Sequence, residues 1–99
     1  MRLYLDIDGT LLTKQGTLAE GAEAFLQWAT LEHVVYWLST RTRDGTGRGA
    51  EQAFTGLLPS ELIAAVHGVA WNVAKTEALP FERNNWVWLD DEIMARLSK

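Results

Sequence analysis

Asp6 and Asp8 stand one residue apart directly after the short apolar run Leu3-Tyr4-Leu5, and Gly9-Thr10 follow at once. Side chains alternate along a strand, so both carboxylates project to one side where the strand gives way to a glycine turn. Two like charges held that close repel, and the pair needs a shared proton or a counter-cation. A hard divalent cation such as Mg²⁺ supplies that charge through oxygen ligands and keeps water in its shell. The alternative is an Asp-rich turn whose carboxylates bond nearby backbone amides.

Further groups that could do chemistry recur downstream. Ser39 closes the run Val34-Val35-Tyr36-Trp37-Leu38 and is followed by Thr40-Arg41. Lys75 lies between Ala74 and Thr76, and Asp90-Asp91 follow Trp86-Val87-Trp88-Leu89. On its own, Ser39 could simply satisfy the backbone at a strand end, and the acids from Asp90 to Glu92 could face the first turn of a helix.

The segment Asp6-Ile7-Asp8-Gly9-Thr10 resembles the first motif of the haloacid dehalogenase-like (HAD) phosphohydrolases. The likeness extends over most of the chain, with Ser39, Lys75 and Asp90-Asp91 in the family's order. It implies that Asp6 attacks a phosphoryl group and that Asp8 carries the proton as general acid and base. It also implies that the Ser39 hydroxyl bonds a phosphoryl oxygen, with Thr40 and Arg41 beside it as substrate contacts, and that Lys75 offsets the nucleophile and phosphate charges. Asp90 would ligate Mg²⁺, with Asp91 acting directly or through a water, and Asp6 and Asp8 would complete the metal set. Asp8 would do so through its backbone carbonyl. Thr40 stands where the family commonly has glycine. The expected activity is a phosphatase working through an aspartyl-phosphate intermediate.

Other readings stay open. A receiver-like signalling module also combines clustered Asp, a Ser or Thr, a Lys and Mg²⁺, although its order differs: the acidic pair comes first and the lysine last. A degenerate HAD-fold interaction protein would keep the fold without the reaction. A sugar phosphomutase would use the same nucleophile but normally needs a cap to exclude water.

With 99 residues, 47% apolar and 22% charged, the chain has the size and composition of one globular domain spanning residues 1–99. The absence of cysteine removes disulfides and thiolate metal sites, leaving oxygen ligands. A formal net charge of −4 argues against non-specific nucleic-acid binding, which needs basic surface to displace condensed counterions. There is no signal-peptide pattern before the motif and no long apolar run, so a cytoplasmic protein without membrane contact is expected. Arg41, Arg43 and Arg48 could grip a second phosphate or form a solvated basic loop.

The elements that must position these groups alternate. Strands are expected at Leu3–Leu5, at Val34–Leu38, covered on both faces, and at Trp86–Leu89, while Leu62–Val66 could be a helix segment and is read as a third strand in chain order. Thr17-Leu18-Ala19-Glu20 has the spacing of a capping box opening a helix, whose apolar stripe is Leu18, Ala22, Phe25, Leu26 and Ala29. Residues 40–49 read as a mobile loop, 50–57 and 75–79 as short helices, and the last residues through Lys99 as a terminal helix. This order predicts a three-layer α/β sandwich with a small, mostly parallel sheet and right-handed crossovers. The resemblance makes it HAD-like and Rossmann-like. The intervals 10–16 and 58–74 are too short for a large cap, which usually selects the substrate in this family. An open site suits a larger phosphorylated substrate, such as a phosphoprotein or nucleic-acid end, unless a neighbouring subunit roofs it.

Overall fold

The computed structural model describes residues 1–90, so the expected terminal helix and Asp91 lie outside the described residues. Among the described residues the order is β1 (Arg2–Leu5), α1 (Ala22–Glu32), β2 (Val34–Trp37), α2 (Arg48–Phe54), α3 (Ser60–Ala64), β3 (His67–Gly68) and β4 (Trp86–Leu89), with 3₁₀ turns at Thr40–Thr42 and Lys75–Ala78. The result is a small α/β fold on a four-stranded sheet, ordered β3-β2-β1-β4, in which every pairing is parallel.

Strand alternation divides the core. Leu3, Leu5, Val35 and Trp37 pack against Ala22, Leu26 and Ala29 of α1, Ala50 and Phe54 of α2, and Leu62 and Ile63 of α3. All three helices therefore share one face of the sheet. Phe54 is fully buried and stacks on Trp37, ring centroids 5.3 Å apart, a burial worth about 1.5–3 kcal/mol. The opposite face carries Tyr4, Tyr36, Trp86 and Trp88, against which the chain from Val69 to Leu79 folds. The third layer of the expected sandwich is thus, among the described residues, a loop with a 3₁₀ turn and no α-helix.

Four local expectations need correction. The helix begins at Ala22, not at Thr17, because Gly21 takes a left-handed φ of 80° and the Thr17 hydroxyl turns back to the Thr13 hydroxyl at 2.7 Å. Leu62–Val66 is mostly helix: Pro59 precedes Ser60–Ala64, and Leu62, Ile63 and Val66 bury one helical face. The third strand is instead the two-residue β3. Residues 40–49 are structured, with Thr42 fully buried in a 3₁₀ turn, and α2 begins at Arg48. Finally, β2 is not covered throughout, since Val34 is exposed. Trp86–Leu89 forms a strand as expected, and the expected 75–79 helix is realised as the 3₁₀ turn Lys75–Ala78.

Candidate active site

The register of the sheet brings the carboxylates together. Leu5 of β1 pairs with Leu89 of β4, so Asp6 and Asp90 are the next residues out of adjacent parallel strands. Such strands lie about 4.8 Å apart. The strand order reverses at β1, between β2 on one side and β4 on the other, and crevices at such reversals are where open α/β sheets bind ligands. By alternation Asp6 shares the side of Tyr4, and Asp90 that of Trp88. This is the face on which the chain carrying Lys75 folds.

Lys75 Nζ donates to Asp90 Oδ2 at 2.6 Å and lies 3.0 Å from Asp6 Oδ1. Asp6 and Asp90 are both buried, and the Lys75 side chain is only 12% exposed. Burial pushes the Asp6 carboxyl up to about 6; the hydrogen bond and charge of Lys75 oppose that rise, and the Asp90 charge adds to it. For Lys75, burial favours the neutral amine, but hydrogen bonds to Asp90 and Asp6 outweigh it and raise its pKa. Two carboxylates thus share the Lys75 ammonium in a buried crevice.

Asp8 sits apart from this triad. Its carboxylate accepts from Arg41 Nε and Nη2, both at 2.8 Å, in a bidentate pair whose side chains are 42% (Arg41) and 56% (Asp8) exposed. The bond to Asp8 raises the Arg41 pKa further. Gly9 turns the chain here with φ 81°, a conformation that favours glycine.

Ser39 is fully buried, and its hydroxyl accepts from the Arg41 N–H at 3.1 Å, capping the 3₁₀ turn Thr40–Thr42. That bond sets the Arg41 backbone beside Asp8 and leaves the Ser39 O–H as a donor. Thr40 is exposed and makes no side-chain hydrogen bond among the described residues. Gly49 in α2 fixes the same turn from below, because a Cβ there would overlap the Arg41 carbonyl oxygen. The structure therefore groups Asp6, Lys75 and Asp90 tightly, and Asp8, Arg41 and Ser39 around the neighbouring turn.

No family model, curated protein or solved structure matches this chain. What the site can do therefore rests on its own donors. Among the described residues no group of three or more His, Cys, Asp or Glu gathers as a ligand set. The residues that do converge are two buried carboxylates that share the Lys75 ammonium. Hard oxygen donors of that kind fit a hard divalent cation such as Mg²⁺.

Two positioning residues escaped the sequence reading. Glu77 accepts from the backbone N–H groups of Asn72, Val73 and Ala74 at 2.9, 2.9 and 3.0 Å, and so holds the segment that presents Lys75. Its only sequence signal is the three-residue spacing from Ala74, half of a capping box. Trp71, without a clear pattern in the sequence, is half-buried. Its indole N–H donates to the Ser39 carbonyl at 3.0 Å, and the Arg43 guanidinium lies 4.7 Å from its ring centroid.

The hydrogen bonds from Asn72, Ala74 and Val73 lower the Glu77 pKa below its ordinary 4.5. A depressed acid stabilises the fold above its unfolded pKa, and the contribution is lost as pH falls through the folded value. Glu77→Gln is accordingly expected to reduce amide-exchange protection at Asn72, Val73 and Ala74. Native protein should lose the same protection on acidification below about 4.5. Unchanged protection in the variant would show that Glu77 does not hold the segment.

Proposed function

We propose that this chain is a metal-dependent phosphohydrolase of the HAD type without a cap, acting as a cytoplasmic phosphatase through an aspartyl-phosphate. The observation that carries the reading is the buried Asp6–Lys75–Asp90 triad at the strand-order reversal, with a second carboxylate, Asp8, two residues beyond the first. A carboxylate held ionised in a crevice of low polarity is a nucleophile, and an exposed one nearby can reach a leaving group.

In this reading Asp6 attacks phosphorus and the ester oxygen departs with a proton from Asp8. Water then attacks phosphorus, Asp8 takes a proton from that water, and the bond to Asp6 breaks to release phosphate. Lys75 keeps positive charge beside the nucleophile through both halves, and the Ser39 hydroxyl and Arg41 guanidinium are donors for phosphoryl oxygens. Mg²⁺, held by Asp6 and Asp90 with Asp8 contributing its backbone carbonyl and Asp91 a further carboxylate, would supply added positive charge for the phosphoryl group. The exposure of Asp8 and Arg41 supports an open site, suited to a phosphoprotein or nucleic-acid end that covers it, or to a roof from a neighbouring subunit.

Hydrolysis of a small aryl phosphate is expected with Mg²⁺ and is lost on chelation. Asp8→Asn should slow turnover by about 10² to 10⁴-fold while leaving Mg²⁺ binding in place. Calorimetry and initial rates check both. Metal-independent turnover, or an Asp8→Asn variant that loses Mg²⁺ as fully as Asp90→Asn, would contradict these roles.

A further inference from the structure

Beside the Asp8–Arg41 pair lies an open groove of about 360 Å³, lined by Asp8, Gly9, Thr13, Lys14, Gly16 and Arg41. Its floor is a built turn. Gly16 N–H donates to the Thr13 carbonyl at 3.0 Å, Thr13 N–H to the Thr17 carbonyl at 2.8 Å, and Gly16 closes the turn with φ 81°. Lys14 sits at the tip of that turn and has no carboxylate partner among the described residues. Arg41 engages Asp8 through Nε and Nη2, which leaves Nη1 unused among the described residues.

The charges of the lining are two cations and one carboxylate, a local excess of one positive charge on a chain of net −4. An ion-paired arginine with a free edge and a lysine facing the same groove form a receptor for an anion, and the groove opens beside the carboxylate read as the proton donor to the leaving group.

We propose that this groove is a second anion subsite, and that the preferred substrate carries a carboxylate or phosphodiester on its leaving group in addition to the phosphoryl group transferred. The inference rests on the phosphohydrolase reading. Arg41 Nη1 and Lys14 Nζ hold the second anion while Nε and Nη2 of Arg41 keep Asp8 in place. A singly anionic leaving group gains these contacts, and a neutral one of equal size does not.

The test compares 4-carboxyphenyl phosphate with 4-carbamoylphenyl phosphate, which differ by one charge at nearly constant shape, and adds an aryl phosphate bearing a methyl phosphodiester. Wild type should favour the anionic esters by about threefold to tenfold in kcat/KM, less at high salt. Lys14→Gln should abolish the preference and leave the carbamoyl ester unaffected, and Lys14→Arg should restore it. The relative rates of the carboxylate and phosphodiester esters identify which anion the groove takes.

The corresponding phosphonates, which cannot be hydrolysed, are titrated calorimetrically in parallel. Should no ester be turned over, a Lys14-dependent preference for the charged phosphonate upholds the subsite and rejects the hydrolase reading. Equal rates for the matched esters, a preference that survives Lys14→Gln, or phosphonates that bind equally or not at all overturn the subsite.

Discussion

Asp6→Asn is expected to abolish phosphatase turnover and, in metal-free buffer above pH 6, to make the protein more stable than wild type. The first effect follows from the assigned role: the amide keeps the shape of the carboxylate but cannot attack phosphorus. The second follows from linkage. The folded Asp6 carboxyl has a pKa of about 6 against an ordinary 3.8, chiefly because of burial. Between those values the folded state holds a proton that the unfolded state has released, so wild-type stability falls as pH rises from about 4 to about 6. An Asn at the same site has no such loss.

The expected gain for the variant is on the order of 1–3 kcal/mol at pH 7 to 8, vanishing below about pH 4. Removing one of the two neighbouring carboxylates also relieves their mutual repulsion, which agrees in sign. Chemical denaturation across pH in chelator measures it, and added Mg²⁺ should narrow the gap by stabilising wild type more than the variant. Retained turnover in Asp6→Asn would falsify the nucleophile assignment. Equal stability at all pH values would instead show that the buried carboxylate is fully compensated by Lys75.

How much of this could be read from the sequence depended on whether a signal was local. Leu3–Leu5 and Trp86–Leu89 are apolar runs that end on acids, and both are strands placed side by side in the sheet. The candidate residues at their ends, Asp6 and Asp90, fall together for that reason. Leu62-Ile63-Ala64-Ala65-Val66 mixes β-branched residues with helical spacing, and the helix wins because Leu62, Ile63 and Val66 all reach the same core. Thr17 and Glu20 have the spacing of a capping box, but Gly21, with a left-handed φ, stands between them and the helix.

The role of Glu77 had almost no local signature, because an acid in a short polar stretch looks like ordinary solvated surface until the three amides that face it are assembled. Lys75 is a related case. Nothing in its immediate neighbours distinguishes it from a surface lysine, and only the motif order of the resemblance singled it out. Physically it reaches the crevice because the chain between β3 and β4 crosses the face to which Asp6 and Asp90 point. The Arg41–Asp8 pair spans 33 positions in sequence and depends on the Ser39-capped turn. Long-range pairing of that kind is a property of the fold and not of spacing.

Lys75→Met is expected to be the most destabilising change at the site, because it removes the ammonium shared by two buried carboxylates while preserving most of the apolar length of the side chain. Breaking a buried pair by deleting one partner typically costs about 3–5 kcal/mol, since the remaining charge is left without compensation. Here Asp6 and Asp90 would remain side by side, so the loss should be largest at alkaline pH and shrink toward acid pH as Asp6, whose pKa burial already raises to about 6, takes up a proton. Mg²⁺ separates a structural lysine from one that balances a metal-binding pair. A cation bound at Asp6 and Asp90 stabilises the folded form by about 2.7 kcal/mol at a hundredfold excess over its Kd, and so should recover much of the loss. Denaturant midpoints at pH 5 and pH 8, each with and without Mg²⁺, form the experiment. A loss at pH 8 that neither acid nor Mg²⁺ reduces would show that Lys75 acts there through packing alone and that the two carboxylates do not form a cation site.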